Sequence, residues 1–444
     1  MRLWSGLLSR LIERSPAKTP SASDLRGWWF LAIVQIGVAI CVPLFALGGQ
    51  LGEHMRYLDL IPALLCATTL TAACCTLTGL VGVRARVPTA FVVQRAFGRK
   101  GGQLIAAIFV VTLFGWFGVQ TELLVHSINA LLRASTGFRI NTLALTIVCG
   151  AIMSSTAIIG VKALGKVAYL AVPLLLAVIS VPTAITLSTR DVHALALAPA
   201  TAAPFTFGVA VSIIFGGYMV GVTVSPDLTR FLRTPRDVLI GSGVSLGIVL
   251  PLLLGLSALL AIAYGSADLI ALLSTTSVGI PALLVIVLAT WTSNDKNLYE
   301  SALALASLLP SVERWKLTAA AGVIGTLIAA TGIFAHFIQL LIGLGITIGP
   351  IAGVYLSDFM LRRAAYDANR SAVEPAVRWS AIIAWLTGIL AGVATLPPGE
   401  MGFGWFRLTS ISAIDALAAA FVSYAALNWL ALRAAARARA CRGV

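Results

Sequence analysis

Apolar residues dominate this chain in long runs that short polar segments separate. Twelve runs approach or exceed the roughly 20 residues that a helix needs to cross a bilayer. They lie at 28–51, 58–82, 103–132, 141–161, 167–188, 205–229, 238–264, 279–308, 317–335, 337–359, 379–396 and 410–432. Only Ala335 and His336 separate the ninth run from the tenth. The pattern predicts an all-α integral membrane protein with twelve transmembrane helices.

The composition excludes the main alternatives to a membrane protein. Hydrophobic residues make up 59% of the chain and charged residues 11%, whereas soluble domains carry about 25% charged residues. A water-soluble enzyme, a secreted domain and a disordered chain would all need more polar surface. A net charge of +14 in so apolar a chain indicates loops that face anionic lipid headgroups. We therefore expect the lipid bilayer, and no nucleic acid, as a partner.

The distribution of Lys and Arg predicts the orientation in the membrane. Of the 31 Lys and Arg, 25 fall on the side of the two termini, 5 fall on the other side, and Lys296 lies within the eighth span. Because cytoplasmic loops carry an excess of these residues, both termini are predicted to be cytoplasmic, which requires an even number of spans. The expected location is the bacterial cytoplasmic (inner) membrane.

Two spans have the composition of interrupted helices. Span one contains Gly37 and Pro43, and span six contains Gly216, Gly217 and Pro226. Proline interrupts the helical hydrogen bonds, glycine lets another group approach the backbone, and transporters bind substrates at such breaks. The ordinary alternative is close helix packing, for which membrane helices also use glycine. Spans one and six are five apart and cross in opposite directions, which favours two inverted five-helix repeats.

This arrangement divides the chain into five parts. They are a cytoplasmic tail (1–26), a first repeat (27–200), a second repeat (201–365), helices eleven and twelve (366–432) and a basic cytoplasmic tail (433–444).

Aromatic and polar residues recur at the middle of spans three and six. Trp116 and Gln120 are four residues apart and share a helix face. Counted from Gln103 at ~1.5 Å per residue, Trp116 lies about 20 Å into its span, away from the interfacial belts where Trp concentrates. Gly217 and Tyr218 lie at the centre of span six. The alternative for Trp116 is packing within the helix core.

Span eight carries hydroxyls in a pattern that suits a cation. Ala289, Thr292 and Ser293 stand at positions i, i+3 and i+4, so a carbonyl and two hydroxyls share one face. Oxygen ligands suit a small hard cation, and carbonyls of an opened span one would complete the shell. Alternatively, the hydroxyls bond back to their own helix.

Charged and amide groups follow directly in the same span. Asn294, Asp295 and Lys296 lie near mid-membrane, where such groups are costly and mark functional sites. A local pair of Lys296 with Asp295 or Glu300 remains open.

Together, spans three, six and eight predict a binding site for a small molecule. Trp116, Tyr218, Asn294 and Asp295 lie at similar predicted depths. Two aromatic rings with amide and carboxylate edges suit a flat, polar, nitrogen-rich molecule that stacks between the rings. Its donors and acceptors would pair with the edge groups.

Five segments carry a family resemblance, in the family's order. They are L-G-G-Q-L-G after span one, G-W-F-G in span three, S-P-D-L-T-R-F closing span six, W-T-S-N-D-x-x-L-Y in span eight and I-G-P-I-A-G-V-Y-L-S-D-F in span ten. Single motifs such as G-W-F-G are weak, but the ordered set is specific. On these residues the chain resembles the nucleobase:cation symporter-1 family and, within it, the cytosine permeases.

The resemblance implies a fold, a function and a set of residues. The fold is a ten-helix core of two inverted repeats with two further helices, working by alternating access. The function is cation-coupled import of a nucleobase, without an organic cofactor. The implied substrate-binding residues are Trp116, Gln120, Gly217, Tyr218, Asn294 and Asp295. The implied cation ligands are backbone at Gly37 and Ile40, with Ala289, Thr292 and Ser293. The family's Gln three residues before the Trp is Leu113 here, which leaves the base itself open.

Several alternatives stay open. A hydantoin, allantoin, a thiamine-precursor pyrimidine or an amino acid could be the substrate of an importer of related architecture. A channel or a membrane-embedded enzyme is a further alternative, although the sequence contains no HExxH or GxSxG motif. Hydroxyls at Thr292 and Ser293 favour Na⁺ as the coupling ion, while Asp295 and Glu122 keep H⁺ open. Glu122 and His126 could form a proton relay or a structural ion pair. The oligomeric state is not readable from the sequence.

Overall fold

The computed structural model describes residues 19–39, 41–159, 173, 177, 180–265, 279–367 and 374–440. In the first half, the α-helices are α1 (Trp28–Ala39), α2 (Val42–His54), α3 (Tyr57–Ala85), α4 (Thr89–Phe97), α5 (Arg99–Thr136), α6 (Thr142–Ile159) and, after helical residues 180–189, α7 (Val192–Leu197). In the second half, they are α8 (Phe207–Thr223), α9 (Pro226–Thr229), α10 (Pro235–Ser242), α11 (Leu250–Tyr264), α12 (Gly279–Leu308), α13 (Arg314–Ala330), α14 (Phe337–Leu361), α15 (Trp379–Thr395) and α16 (Ser412–Ala440). A π-helical segment, Gly243–Val249, joins α10 to α11.

Several of these helices can cross a bilayer. Among the described residues, five helical segments are long and apolar enough, or six if the bent pair α1–α2 forms one span. The five are Tyr57–Ala85, Arg99–Ala130, Phe207–Thr229, Pro235–Tyr264 and Ile333–Leu361. The molecule is therefore an all-helical integral membrane protein, as predicted. The count of twelve spans stays a prediction.

The first predicted span is interrupted where the sequence indicated. The axes of α1 and α2 are bent by 64° at a break that includes Cys41. Pro43 lies in the first turn of α2, where its missing N–H costs no hydrogen bond and its fixed φ suits a helix start. The break therefore replaces a continuous span with two half-helices.

The sixth predicted span is not interrupted at its central glycines, and only a short irregularity precedes Pro226. Helix α8 runs without interruption through Gly216 and Gly217, and the chain leaves it only at Val224 and Ser225 before Pro226 opens α9. Gly216 serves packing, because a Cβ there would collide with the carbonyl of Leu341 on α14. The proline, rather than the glycine pair, ends the helix.

The boundary between the ninth and tenth predicted spans also differs from the prediction. Helix α13 ends at Ala330, and Gly332 adopts a φ of +79° before a 3₁₀ turn over Ile333–His336 leads into α14. The turn therefore begins about four residues before Ala335, because a left-handed backbone conformation at glycine is a common helix ending.

The helices pack in two groups that enclose the broken span. In one group, α5, α6, α12 and α13 contact one another. In the other, α3 packs on α8, α8 on α14, α14 on α16 and α16 on α15, while α11 packs on α2. Helix α5 contacts α12 on one side and α2 and α14 on the other. It therefore connects the two groups, and the middle of α12 lies close to the break before α2.

A buried carboxylate ties the end of α14 to its neighbours. Asp358 is fully buried and accepts two hydrogen bonds from the Arg362 guanidinium, both 2.6 Å. The hydroxyls of Tyr366 and Tyr424 donate to the same carboxylate at 2.5 and 2.6 Å. All the charge of Asp358 is thus compensated, as a buried carboxylate requires.

Candidate functional site

The break between α1 and α2 lies against the middle of α12. The thiol of Cys41, at the break, lies near the Ser293 side chain on α12. The side-chain amide of Gln120 on α5 donates to the Ser293 hydroxyl at 3.2 Å. Three elements that are far apart in the sequence therefore meet at one hydroxyl. Cys41 was not singled out from the sequence, although it lies inside the predicted break.

Trp116 lies one turn before Gln120 on the same face of α5 and is buried. Its ring meets Phe337 edge to face, with centroids 6.2 Å apart and planes at 83°. Phe334 packs on Phe337 at 5.3 Å between centroids. The start of α14 and the turn before it therefore add two aromatic rings that the sequence did not indicate, since nothing in the sequence shows which helix faces Trp116.

Tyr218 and Gly217 bring α8 to the same region. Tyr218 is buried and lies near Cys41. A Cβ added at Gly217 would lie 3.6 Å from Leu341 and 3.8 Å from Leu47, which is ordinary van der Waals contact. Packing therefore does not require glycine at 217, in contrast to Gly216.

Two buried polar atoms in this region lack hydrogen-bond partners among the described residues. They are the amide oxygen of Gln120 and the hydroxyl of Tyr218. Leaving such a group unpaired costs about 1–3 kcal/mol, so each one in a folded protein needs an explanation. Both side chains belong to the site predicted from the sequence.

The side-chain amide of Asn294 forms hydrogen bonds with neighbouring helices. Its amide nitrogen donates to the carbonyl of Phe117 at 3.3 Å and to the hydroxyl of Thr121 at 3.0 Å, both on α5. It also lies 3.3 Å from the sulfur of Met153 on α6. Asn297 donates to its oxygen at 3.3 Å. Asn294 thus faces α5 and α6.

Asp295 also points toward α6. Its carboxylate accepts a hydrogen bond of 2.8 Å from the hydroxyl of Thr156. The indole nitrogen of Trp291 donates to the same hydroxyl at 2.7 Å. The structure therefore places Asn294 and Asp295 against α5 and α6, and Ser293 against Gln120 and Cys41.

The predicted cation ligands are partly described. Gly37 lies on α1 near the break, Ile40 lies outside the described residues, and Ser293 has the contacts given above. Ala289 and Thr292 lie on α12, but their side chains are outside the described part of the structure. No group of three or more His, Cys, Asp or Glu among the described residues could hold a metal. The predicted ligands are instead hydroxyl and carbonyl oxygens, which suit a hard cation.

The two ionisable pairs singled out from the sequence both form. His126 lies 3.6 Å from Glu122, and the other oxygen of Glu122 accepts a hydrogen bond of 2.9 Å from the backbone N–H of Phe334. Glu122 therefore ties α5 to the turn that precedes α14. Lys296 forms an ion pair of 2.7 Å with Glu300 one turn further along α12.

A family model described as a permease for cytosine/purines, uracil, thiamine and allantoin matches residues 19–399. The chain belongs to this permease family. Its relatives include the cytosine permease of Escherichia coli strain K12, 27% identical over 370 residues that cover 83% of this chain and 86% of the relative. The hydantoin permease of Microbacterium maritypicum is 24% identical over 379 residues, which cover 80% of this chain and 76% of the relative.

Solved structures with the same fold extend over nearly the whole permease. Mhp1, a nucleobase-cation-symport-1 family transporter, matches in a closed conformation with bromovinylhydantoin bound, with a TM-score of 0.78, 21% identity and coverage of 95% of this chain and 96% of that one. Its inward-facing conformation matches with a TM-score of 0.75 and 20% identity, at the same coverage.

These comparisons confirm the family and the class of protein. The permease is a membrane transporter of the nucleobase:cation symporter type and not an enzyme. Its helices bring Trp116, Gln120, Tyr218 and Ser293 to one region beside the broken span.

Proposed function

We propose that this permease is a secondary active symporter that imports a nucleobase, or a related planar heterocycle, together with a cation by alternating access. The observation that carries the proposal is the meeting of Gln120, Ser293 and Cys41 at the break between α1 and α2. Two unpaired buried polar atoms and the Trp116 ring lie in the same region.

The unpaired atoms suit a nitrogen heterocycle. The amide oxygen of Gln120 would accept an N–H of the substrate, and the hydroxyl of Tyr218 would donate to a ring nitrogen or a carbonyl. The rings of Trp116 and Tyr218 would stack on the two faces of the substrate. At Gly217 the absence of a side chain leaves backbone beside the substrate.

Asn294 and Asp295 complete the proposed site from the third helix. In the conformation described here their polar atoms bind α5 and α6, so a direct contact with substrate requires some of these bonds to exchange. Their present bonds hold α12 at the rotation that directs Ser293 toward Gln120.

The cation would bind between the broken span and α12. Backbone carbonyls at Gly37 and Ile40, with Ala289, Thr292 and the Ser293 hydroxyl, would form an oxygen shell of the kind that Na⁺ prefers. We propose Na⁺ as the first candidate. H⁺ remains the alternative, because Asp295 is a carboxylate in the same part of α12.

The membrane arrangement proposed with this function follows the hydrophobic pattern. Twelve spans would form a 5+5 inverted-repeat core (27–200 and 201–365) followed by two helices (366–432), with both termini in the cytoplasm and the protein in a bacterial inner membrane. Support comes from the 25-to-5 distribution of Lys and Arg.

The substrate class can be tested by measuring how candidate ligands change the melting temperature of the purified protein. Purified protein would be heated with cytosine, uracil, adenine, hydantoin or allantoin, with and without Na⁺. A ligand that binds only the folded state raises the apparent melting temperature by mass action. Hydantoins are a specific second candidate, since one relative is a hydantoin permease.

Transport is tested in proteoliposomes with the stabilising ligand in labelled form. We expect accumulation against a gradient when Na⁺ or H⁺ flows inward, and loss of accumulation in Trp116→Ala. Trp379→Ala is the matched control, because Trp379 is 68% exposed on the surface of α15. Gradient-independent flux, or full activity in Trp116→Ala, would contradict the proposal.

A further inference from the structure

A second cavity lies beside the candidate site. The start of α14 packs on one side of that site, and the cavity lies on the other. It has room for about 30 Å³ of solvent. Its lining comes from α4, the first half of α5, the α8–α9 junction and α12, where Asp227, Glu300 and Thr89 are the polar members. Along α5 the cavity reaches from Gly102 to Leu113, one turn short of Trp116. It therefore lies between the candidate site and the chain segments that the Lys and Arg distribution predicts to be cytoplasmic.

Two buried oxygens on this lining have no hydrogen-bond partner within the described structure. They are one carboxylate oxygen of Glu300 and the hydroxyl of Thr89. Glu300 is 5% exposed and Thr89 is 2% exposed. An ionised carboxylate can only accept hydrogen bonds, so the Glu300 oxygen lacks a donor or a cation. The Thr89 hydroxyl can both donate and accept, and its lone pairs are available to a cation.

The charges around the cavity leave one carboxylate without a direct ion pair. Lys296 pairs with the other oxygen of Glu300 at 2.7 Å. Asp227 accepts a hydrogen bond of 2.7 Å from the backbone N–H of Thr89, but within the described part of the chain no cation lies at ion-pair distance from its carboxylate. The guanidinium of Arg230 instead donates to the main-chain carbonyl of Asp227, at 3.3 Å. Asp227 is partly buried, and a carboxylate that has lost part of its water without gaining a paired counter-charge is unfavourable.

We propose that this cavity binds a monovalent metal cation, Na⁺, between Asp227, the free oxygen of Glu300 and the hydroxyl of Thr89. Carboxylate and hydroxyl oxygens are the ligands that a hard cation prefers. Binding there would satisfy both unpaired oxygens and neutralise the surplus carboxylate.

The place of the site suggests a role in cation release. Glu300 follows Ser293 by seven residues on α12, which is about 10 Å along a helix. A cation that leaves the Ser293 region toward the cytoplasm would meet the Asp227–Glu300 pair next. This role rests on the proposed cation symport, whereas the binding itself does not.

The variants of this site should change Na⁺ affinity in opposite directions. Its ammonium competes with a bound cation for Glu300, so Lys296→Gln should tighten Na⁺ binding by about tenfold or more, because charges this close interact strongly in a buried site. Asp227→Asn and Glu300→Gln should each weaken it by about tenfold or more for the same reason. The amide oxygen introduced by Asp227→Asn would still accept the hydrogen bond of the Thr89 N–H, which guards against loss of the fold.

The experiment is equilibrium binding of radioactive Na⁺ to the purified full-length protein at pH 8, with choline as the replacement cation. Asp367→Asn and Glu313→Gln are matched controls, since both acids are about half exposed or more and pair with surface cations. Melting temperatures in choline verify that each variant is folded.

The result expected is a Na⁺ site that weakens in Asp227→Asn and Glu300→Gln, tightens in Lys296→Gln and stays unchanged in the controls. Absence of Na⁺ binding to the wild type, equal binding in all variants, or weaker binding in Lys296→Gln would overturn the proposal. Ser293→Ala separates this site from the symport site, because it should remove a Na⁺ bound at Ser293 and leave the one in the cavity. Failure of substrate uptake by the wild type would count against the proposed function alone.

Discussion

The polar groups on two sides of α12 differ in how completely they are paired. On the face toward α5 and α6, the amide of Asn294 makes several hydrogen bonds and Asp295 is held by Thr156. On the face toward the broken span, Gln120 reaches Ser293 with its nitrogen while its oxygen stays unpaired within the described structure. A saturated face fixes helices to each other, whereas an unsatisfied face has capacity left for a ligand. The contacts that hold the helices together and the surface proposed to bind substrate therefore lie within one turn of α12.

The largest loss of stability is expected at Asp358, where the hydrogen bonds of a buried group are most complete. Asp358→Asn would remove a buried carboxylate that receives four hydrogen bonds, and breaking such a pair costs about 3–5 kcal/mol. Thermal unfolding in detergent measures the loss. The control is Asp59→Asn, which breaks an exposed pair with Arg56 and should change stability little, because water screens exposed ion pairs. Equal losses in the two variants would contradict this account.

Asn294→Ala tests the saturated face of α12. It removes the amide and leaves Thr121 and Asn297 without their partner, so we expect a loss of about 2–3 kcal/mol in stability. Thr121→Val should cost less, and the double variant should lose less than the sum of the single variants, because the two residues share a hydrogen bond. If Asn294→Ala keeps full stability but loses substrate binding, Asn294 serves only the substrate, as in the proposed site, and does not hold the helices together.

Gln120→Leu tests the unsatisfied face. It removes a buried unpaired oxygen together with one long hydrogen bond, so we expect stability without ligand to change by less than about 1 kcal/mol. Substrate affinity should fall by about tenfold or more, since a buried polar group of the substrate would then be unpaired. Loss of stability comparable to that of Asn294→Ala would remove the distinction between the faces.

Tyr218→Phe should have the smallest effect on the fold. The hydroxyl has no partner in the described structure, so its removal should leave stability unchanged or raise it by about 1 kcal/mol. Tyr355→Phe is the matched control, because that hydroxyl donates to the carbonyl of Thr223 at 2.9 Å and its loss should destabilise the protein. Substrate affinity of Tyr218→Phe should fall several-fold. An unchanged affinity would place the hydroxyl outside the site.

The sequence by itself determined relations within single helices. The shared face of Trp116 and Gln120 follows from four-residue spacing. The same spacing made Glu300 one of two candidate partners of Lys296, and the structure chose between them. Proline and glycine placed the break before α2, and the apolar runs with their ordered motifs predicted a helical membrane transporter of the correct family. Each of these depends on local geometry or on chain-wide composition, which periodicity reports directly.

Only the tertiary structure decided how the helices are rotated against one another. Ser293 and Asn294 are adjacent in sequence, yet one meets Gln120 while the other binds Thr121 and Met153. Successive side chains on a helix differ by about 100° in direction, and no pattern within α12 states which neighbour lies in which direction. The same limit hid Phe337 beside Trp116, because contacts between helices depend on the packing of the whole bundle.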